Sequence, residues 1–237
     1  MIIDAHNHIG IRYGGRQSGG DLVRKMDLVG IDKAVIFPFV EGNFTNDEVK
    51  AATEEFPDRL IPFCAVNPWV PEAPAIMRSC IEDWGCRGLK LHPMINGFHL
   101  ANHGLVDPLF SIAEEFGIPV IVHGASDLYN TPSEFAEMAR TFPKVNLIMA
   151  HMGFFWMVDQ AIQFAGKYPN LYLETSRAPI FEIAQAVEAL GPDKVIFGSD
   201  SPFVDLEWEF RKMERASSLP GAHAKLVGGN IARLLSL

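Results

Sequence analysis

Seven residues capable of metal binding or proton transfer follow short apolar segments spread along almost the whole chain. Neutral imidazoles and a carboxylate suit Zn²⁺ and other borderline divalent ions, and a catalytic site also leaves one position open to water. A single histidine is often explained by a hydrogen-bonded structural role, and we expect that role for His99, His103 and His223. The matching positions of the seven favour a shared metal site: His6, His8, Lys90, His92, His123, His151 and Asp200.

Eight apolar, β-branched segments precede or contain these residues, and amphipathic segments with helical periodicity separate them. Two predicted helices are residues 107–116 and 132–142, the second with Thr131 as its N-cap. Regular alternation of strand and helix predicts parallel strands joined by right-handed crossovers. Eight such strand–helix units close into a single (β/α)8 TIM barrel. The predicted strands are residues 2–9, 34–40, 61–66, 88–93, 119–123, 146–151, 170–174 and 195–199.

The length of 237 residues suits one such barrel, and no linker, low-complexity tract or repeat divides it. We therefore expect residues 1–237 to form one α/β domain. Barrel enzymes build their sites at the carboxyl ends of the strands. Side chains alternate along a strand, so His6 and His8 share a face. The same rule groups Lys90 with His92, His123 with Ile121, and His151 with Met149, all pointing into the barrel. Residues 10–20 and 94–104 are predicted loops over the site.

Composition excludes several classes of protein. Hydrophobic residues form 48% of the chain and charged residues 21%, which is typical of a globular domain with a large core. A net charge of -9 without a dense basic stretch argues against nucleic acid as a partner. The odd count of cysteines, on separate predicted elements, fits a reduced cytoplasmic protein. We expect neither a signal peptide nor a membrane span, and a homodimer is possible.

Six sequence motifs together resemble the amidohydrolase superfamily, particularly the amidohydrolase-related branch that includes aminocarboxymuconate-semialdehyde decarboxylase and several lactone or amide hydrolases. The resemblance covers nearly the whole chain and implies a TIM barrel of the metallo-dependent hydrolase type. The motifs are Asp-Ala-His-Asn-His at residues 4–8, Gly-Leu-Lys-Leu-His-Pro at 88–93, Val-His-Gly at 122–124, Ala-His-Met-Gly at 150–153, Phe-Gly-Ser-Asp-Ser-Pro at 197–202, and a closing segment with Gly229, Asn230, Ala232, Arg233 and Leu234.

The resemblance implies that His6, His8, His123 and Asp200 bind one divalent metal, most simply Zn²⁺, with Mn²⁺, Fe²⁺ or Co²⁺ as alternatives. It also implies that His151 acts beside the metal as an acid, base or electrostatic group. Other members of the superfamily bridge two metals with a carbamylated lysine on the fourth strand, where Lys90 lies. Lys90 is therefore either such a bridge or an unmodified, substrate-binding or ion-paired lysine.

Further residues at the strand ends are candidates for substrate contact. His92 either contacts substrate or orients a ligand. Arg12 and Arg177 are candidates for binding a carboxylate, because a guanidinium forms two parallel hydrogen bonds with it, although both could be solvated surface residues. Glu174 also borders the seventh strand. Aromatic residues that follow strands either wall the pocket or pack ordinarily: Trp69, Phe98, Phe154, Phe155, Trp156 and Phe203.

Three functions fit this set of residues. The first is a metal-dependent hydrolase, in which activated water attacks an ester, lactone or amide of a small carboxylated substrate, Asp200 moves the proton and His151 stabilises the carbonyl oxygen. The alternative is a metal-dependent, non-oxidative decarboxylase of a small unsaturated or aromatic acid, in which Asp200 or His151 protonates carbon. A catalytically inactive binding protein is the third. A metal-free lactonase also remains open.

Overall fold

The chain folds into parallel strands surrounded by helices in a computed structural model, which describes residues 1–12, 15–40, 44–124, 128–216 and 219–237. The third barrel strand is divided into two short pieces by Phe63. The strands are β1 (Ile3–Arg12), β2 (Gly15–Gln17), β3 (Lys33–Pro38), β4 (Leu60–Pro62), β5 (Cys64–Ala65), β6 (Leu89–Leu91), β7 (Val120–Val122), β8 (Leu147–Met149), β9 (Leu171–Glu174) and β10 (Val195–Ile196).

Helices cover the outer faces of these strands. None of the helices described is long and apolar enough to cross a membrane. They are α1 (Gly19–Val29), α2 (Asn46–Glu55), α3 (Ala73–Glu82), α4 (Pro93–Asn96), α5 (His103–Phe116), α6 (Pro132–Thr141), α7 (Val158–Lys167), α8 (Ile180–Leu190), α9 (Leu206–Met213), α10 (Ala222–Ala224) and α11 (Asn230–Leu234), with a 3-10 turn at Ala150–Gly153.

Backbone hydrogen bonds close the strands into a barrel. β1, β3 and β4 pair in parallel, as do β5 to β10 in sequence order. The Phe63 N–H donates to the Ile36 carbonyl at 2.9 Å, which joins the two sets. At the opposite seam, the Ala5 N–H donates to the Phe197 carbonyl at 3.0 Å, and the Asp200 N–H donates to the His6 carbonyl at 2.8 Å. The predicted (β/α)8 barrel is confirmed.

The core has two layers, because successive strand side chains alternate between the barrel interior and the surrounding helices. Val35, Phe37 and Ile121 belong to the interior layer, whereas Ile36 and Val122 belong to the layer between strands and helices. α11 contributes apolar side chains to the interior layer. Because the eight barrel strands bury both faces over most of their length, they appear in the sequence as short continuous apolar runs.

Several local predictions need correction. The loop predicted at residues 10–20 contains β2, which pairs antiparallel with β1, and it leads into α1; residues 13 and 14 lie outside the described part. The loop predicted at 94–104 contains most of α4 and the first turn of α5. Thr131 does precede α6, but its hydroxyl bonds to Ser133 and makes no capping hydrogen bond.

The three cysteines lie on separate elements, as predicted. Cys64 is in β5, Cys80 is in α3, and Cys86 precedes β6. All three are buried free thiols, and their side chains contact one another between the barrel wall and its helices.

Candidate metal centre and substrate cavity

The first strand presents His6 and His8 to the same point. A bulge between Asp4 and Asn7 shifts the pairing of β1 with β3, and such irregularities re-aim side chains near active sites. The Nε2 atoms of His6 and His8 lie 3.3 and 3.4 Å from the same carboxylate oxygen, Oδ1 of Asp200. The two imidazoles and this carboxylate therefore converge on one small volume.

Outer hydrogen bonds fix the orientation of both imidazoles. Nδ1 of His6 lies 2.8 Å from Oε2 of Glu174, and Nδ1 of His8 lies 3.3 Å from the Pro38 carbonyl. Burial lowers the pKa of both imidazoles, and Lys90 adds to the effect. Two neutral rings, held through Nδ1 with Nε2 facing inward, are an arrangement typical of metal-binding histidines. Together with the Asp200 carboxylate, this donor set fits a divalent ion.

Glu174 is a central acceptor that the sequence analysis noted without assigning it a role. Besides His6, its carboxylate accepts hydrogen bonds from the His151 N–H at 3.3 Å and from the Ser176 N–H and hydroxyl at 2.5 and 2.8 Å. Burial raises the pKa of Glu174 to about 7. A Cβ at Gly198 would lie 2.3 Å from Glu174 Oε1, so the glycine leaves room for this carboxylate. The available signal was an acidic residue ending an apolar strand.

His151, His123 and His92 form a second row of imidazoles. Nδ1 of His151 lies 2.8 Å from the Ser176 hydroxyl, and its Nε2 lies 3.1 Å from Nδ1 of His123. The His123 ring stacks on His92 with centroids 3.9 Å apart and an interplanar angle of 12°. Burial lowers the pKa of all three rings. The structure thus places both metal-ligand and acid/base candidates in one connected cluster.

Two groups of three donors within the described residues have ligand atoms all within 4.8 Å of one another. One is His6, His8 and Asp200; the other is His6, His151 and Glu174. His123 is in neither group, although it borders His151, so its role as a fourth ligand stays a prediction.

Lys90 is 1% exposed and lies beside the donor cluster. Its Nζ is 3.3 Å from Nε2 of His6 and 4.6 Å from the centre of the Phe37 ring. Burial lowers the pKa of Lys90 to about 8. Lys90 thus contacts His6 and does not line the cavity, and both predicted roles, a carbamylated bridge and an unmodified lysine, stay predictions. His92, in contrast, borders the cavity itself.

A cavity of about 590 Å³ opens above the cluster, with His8, His123, His151 and Asp200 in its wall. Both predicted arginines reach it. Nε of Arg177 donates to Oδ2 of Asp200 at 2.5 Å, and the Arg12 guanidinium lies 4.2 Å from the Phe203 ring centre. Three of the six aromatic candidates also line the cavity, namely Phe154, Trp156 and Phe203. The others do not: Phe98 is buried in the outer core layer, while Trp69 and Phe155 are largely exposed.

Left-handed backbone conformations concentrate around this cavity. Non-glycine residues with φ between 41° and 63° follow the sixth, seventh and eighth barrel strands: His151, Met152, Phe154, Arg177 and Asp200. Each such conformation costs on the order of 1–3 kcal/mol and persists only where surrounding contacts enforce it, often at functional sites. At His151 this backbone conformation determines where the side chain points. Met149 packs outward, contrary to the predicted alternation, and His151 reaches the cavity because the chain leaves the strand in a 3-10 turn.

A family model described as amidohydrolase matches residues 3–237. The chain belongs to the amidohydrolase family. This confirms the resemblance drawn from the motifs, and with it membership of an enzyme family. A comparison of this amidohydrolase with curated protein sequences finds no significant match.

Solved structures share the barrel over its full length. An uncharacterised TIM-barrel protein from Bordetella bronchiseptica is 21% identical with a TM-score of 0.84, covering 99% of this amidohydrolase and 98% of that chain. A 2,6-dihydroxybenzoate decarboxylase from Rhizobium is 16% identical with a TM-score of 0.79 and coverages of 99% and 98%. A dihydroxybenzoic acid decarboxylase from Polaromonas, with bound manganese and 2-nitroresorcinol, is 15% identical with a TM-score of 0.81 and coverages of 100% and 97%.

Proposed function

We propose that this amidohydrolase is a metal-dependent, non-oxidative decarboxylase of a small aromatic or unsaturated acid, with residues 1–237 acting as one domain. The observation that carries the proposal is the cavity, which combines two guanidinium groups and aromatic walls with the donor cluster. Guanidinium groups bind carboxylates, and flat apolar rings favour a planar substrate. Two of the structurally similar proteins are decarboxylases of aromatic acids.

The proposed metal ligands are His6, His8 and Asp200, with His123 completing the set. A divalent ion held by these residues would supply positive charge for binding the carboxylate region of the substrate and for stabilising negative charge formed there. Zn²⁺ fits these nitrogen and oxygen donors, and Mn²⁺ is the alternative favoured by the manganese found in the Polaromonas enzyme.

In the proposed reaction, the side chains around the cavity orient the acid and move one proton. Arg12 and Arg177 hold acidic groups of the substrate. The aromatic side chains of the cavity wall exclude water from the ring of the substrate. The bond between the carboxylate and its carbon breaks, its electron pair stays on that carbon, and carbon dioxide leaves. Asp200 or His151 passes to this carbon a proton taken up from solvent.

Hydrolysis of an ester, lactone or amide is the second candidate function. It is favoured by the position of Asp200, whose carboxylate lies at the donor cluster and borders the cavity. There it would accept a proton from the attacking water and return it to the leaving group, while His151 stabilises the developing oxyanion.

Product analysis separates the two reactions. The protein, loaded in parallel with Zn²⁺ or Mn²⁺, is incubated with hydroxylated benzoic acids, including 2,6-dihydroxybenzoate, and with a panel of carboxylated lactones and amides. We expect carbon dioxide and the corresponding phenol from at least one acid. The control is the His6→Ala/His8→Ala variant. We expect it to retain less than about a tenth of the wild-type metal content and to form neither carbon dioxide nor the phenol. New acid groups from the lactones or amides, without carbon dioxide, would establish hydrolysis instead. No turnover of any substrate by the loaded protein would refute the decarboxylase proposal.

A further inference from the structure

Helix α9 carries a buried ion pair under the loop that follows β9. Nζ of Lys212 lies 2.5 Å from Oε2 of Glu209, and these side chains are only 6% and 3% exposed. Removing two charges from water is costly, and a well-packed apolar pair in such a place is often equally stable. The presence of this pair therefore calls for an explanation other than stability.

Both charged groups bind the same short piece of backbone. Glu209 Oε2 accepts a hydrogen bond from the Arg177 N–H at 3.2 Å, and Lys212 Nζ donates to the Ala178 carbonyl at 2.8 Å. One group thus fixes the start of the Arg177–Ala178 segment and the other fixes its end. An apolar pair would fill the same space but could bind neither backbone group.

The residue held between these two contacts has an unfavourable conformation. Arg177 has a φ of 63°, in the left-handed region that a long side chain rarely adopts. In this conformation its Nε donates to Asp200 at 2.5 Å, and its guanidinium lies 5.6 Å from the Phe203 ring centre at the cavity wall. An extended backbone at Arg177 would direct the side chain elsewhere.

We propose that Glu209 and Lys212 are positioning residues that hold Arg177 in its left-handed conformation and so aim its guanidinium at Asp200 and the cavity. The part of this inference that concerns substrate rests on the proposed function. The part that concerns the conformation of Arg177 does not. A simple structural role for the ion pair would make no connection between α9 and the guanidinium of Arg177.

The central test replaces the pair with apolar residues in Glu209→Leu/Lys212→Met. We expect this variant to fold, because buried ion pairs tolerate apolar replacement. Its crystal structure should show Arg177 with a negative φ and without its contact to Asp200. The matched control is Glu207→Gln/Arg211→Gln, which removes an exposed ion pair from the same helix and should leave Arg177 unchanged.

Kinetics with the accepted acid give a second readout. The apolar double variant should lower kcat/KM by about 10²-fold, as expected when a binding group is misplaced. Arg177→Gln should give a similar loss. Adding the double substitution to Arg177→Gln should change kcat/KM by no more than about twofold, because both changes remove the same interaction. A loss that is equally large in both backgrounds would overturn the proposal.

Single variants serve as a further arm, including the case in which the double variant fails to fold. Glu209→Gln retains an oxygen that can accept from the Arg177 N–H and should preserve the φ of Arg177, whereas Glu209→Leu should not. A left-handed Arg177 still bound to Asp200 in either the Glu209→Leu or the double variant would refute the positioning role. If the wild-type protein decarboxylates no acid, the proposed function fails, while the crystal structures still decide the role of Glu209 and Lys212.

Discussion

The two ends of the barrel differ in the residues that adopt left-handed backbone. At the amino end, four turns that lead from a helix to the next strand use glycines with φ between 65° and 76°: Gly30, Gly85, Gly117 and Gly191. Glycine takes this conformation without steric penalty. At the carboxyl end, Gly10, Gly97 and Gly153 also have positive φ, but so do His151, Arg177 and Asp200, whose side chains face the cavity. The amino end is therefore built for stability, and the carboxyl end accepts strain in order to place chemical groups.

Asp200→Asn, at the carboxyl end, should cause the largest loss of activity with little loss of stability. Asparagine tolerates left-handed backbone better than most residues, so the local conformation should persist without the carboxylate charge. We expect the turnover rate to fall by about 10³-fold. The free energy of unfolding should change by less than about 2 kcal/mol. Steady-state kinetics and urea denaturation measure the two quantities. Wild-type turnover in this variant would exclude Asp200 from proton transfer.

Asn170→Ala should show the reverse behaviour at the amino end. The amide of Asn170 donates to the carbonyls of Ala139, Phe142 and Val145, at 3.1, 3.0 and 3.0 Å, and thereby binds the turn that enters β8. Leaving these acceptors unpaired should lower the free energy of unfolding by about 2–3 kcal/mol.

Asn170→Asp, which has nearly the same shape, should lose at least as much in the same denaturation experiment, because a carboxylate oxygen would face these carbonyl oxygens. Metal content and turnover per folded molecule should stay at the wild-type level in both variants. A loss of metal from folded Asn170→Ala would contradict the division of roles between the two ends.

Gly30→Ala should give a smaller loss that reports the backbone alone. No atom lies within 4 Å of a Cβ built on Gly30, but its φ of 76° penalises any side chain. We expect a loss of about 1 kcal/mol in the free energy of unfolding. Gly104→Ala, in the first turn of α5 with similar open space and no positive φ, is the matched control and should not destabilise the protein. Equal losses for Gly30→Ala and Gly104→Ala, measured by thermal and urea denaturation, would show that backbone conformation is not the cause.

The barrel was predictable because its strands have buried faces on both sides and therefore form apolar runs in the sequence. Exceptions follow the same logic. β2 consists of Gly-Arg-Gln and has no apolar run, so pattern reading assigned it to a loop. Phe63 interrupts the third barrel strand without any interruption of the hydrophobic pattern, so the two pieces were predicted as one.

The site was predictable to the extent that strand geometry determines it. His6 and His8 share a face because they are two residues apart on one strand. His151 could not be oriented by the same rule, because the turn that carries it abandons the strand after Met149. The contacts of Glu209 with the Arg177 backbone join a helix to a distant loop. Such contacts depend on packing, for which one sequence contains no local signal.

The seam between the first and last barrel strands also concerns the synthesis of the protein. Asp4 accepts hydrogen bonds from the backbone and hydroxyl of Ser199, across 195 positions of sequence. Contacts between such distant segments form late, because a long loop must first be closed. A nascent chain that has emerged only as far as β9 would expose His6 and His8 but lack Asp200 and the strand that closes the barrel. The donor cluster is thus assembled only after the ribosome has delivered β10 and Asp200.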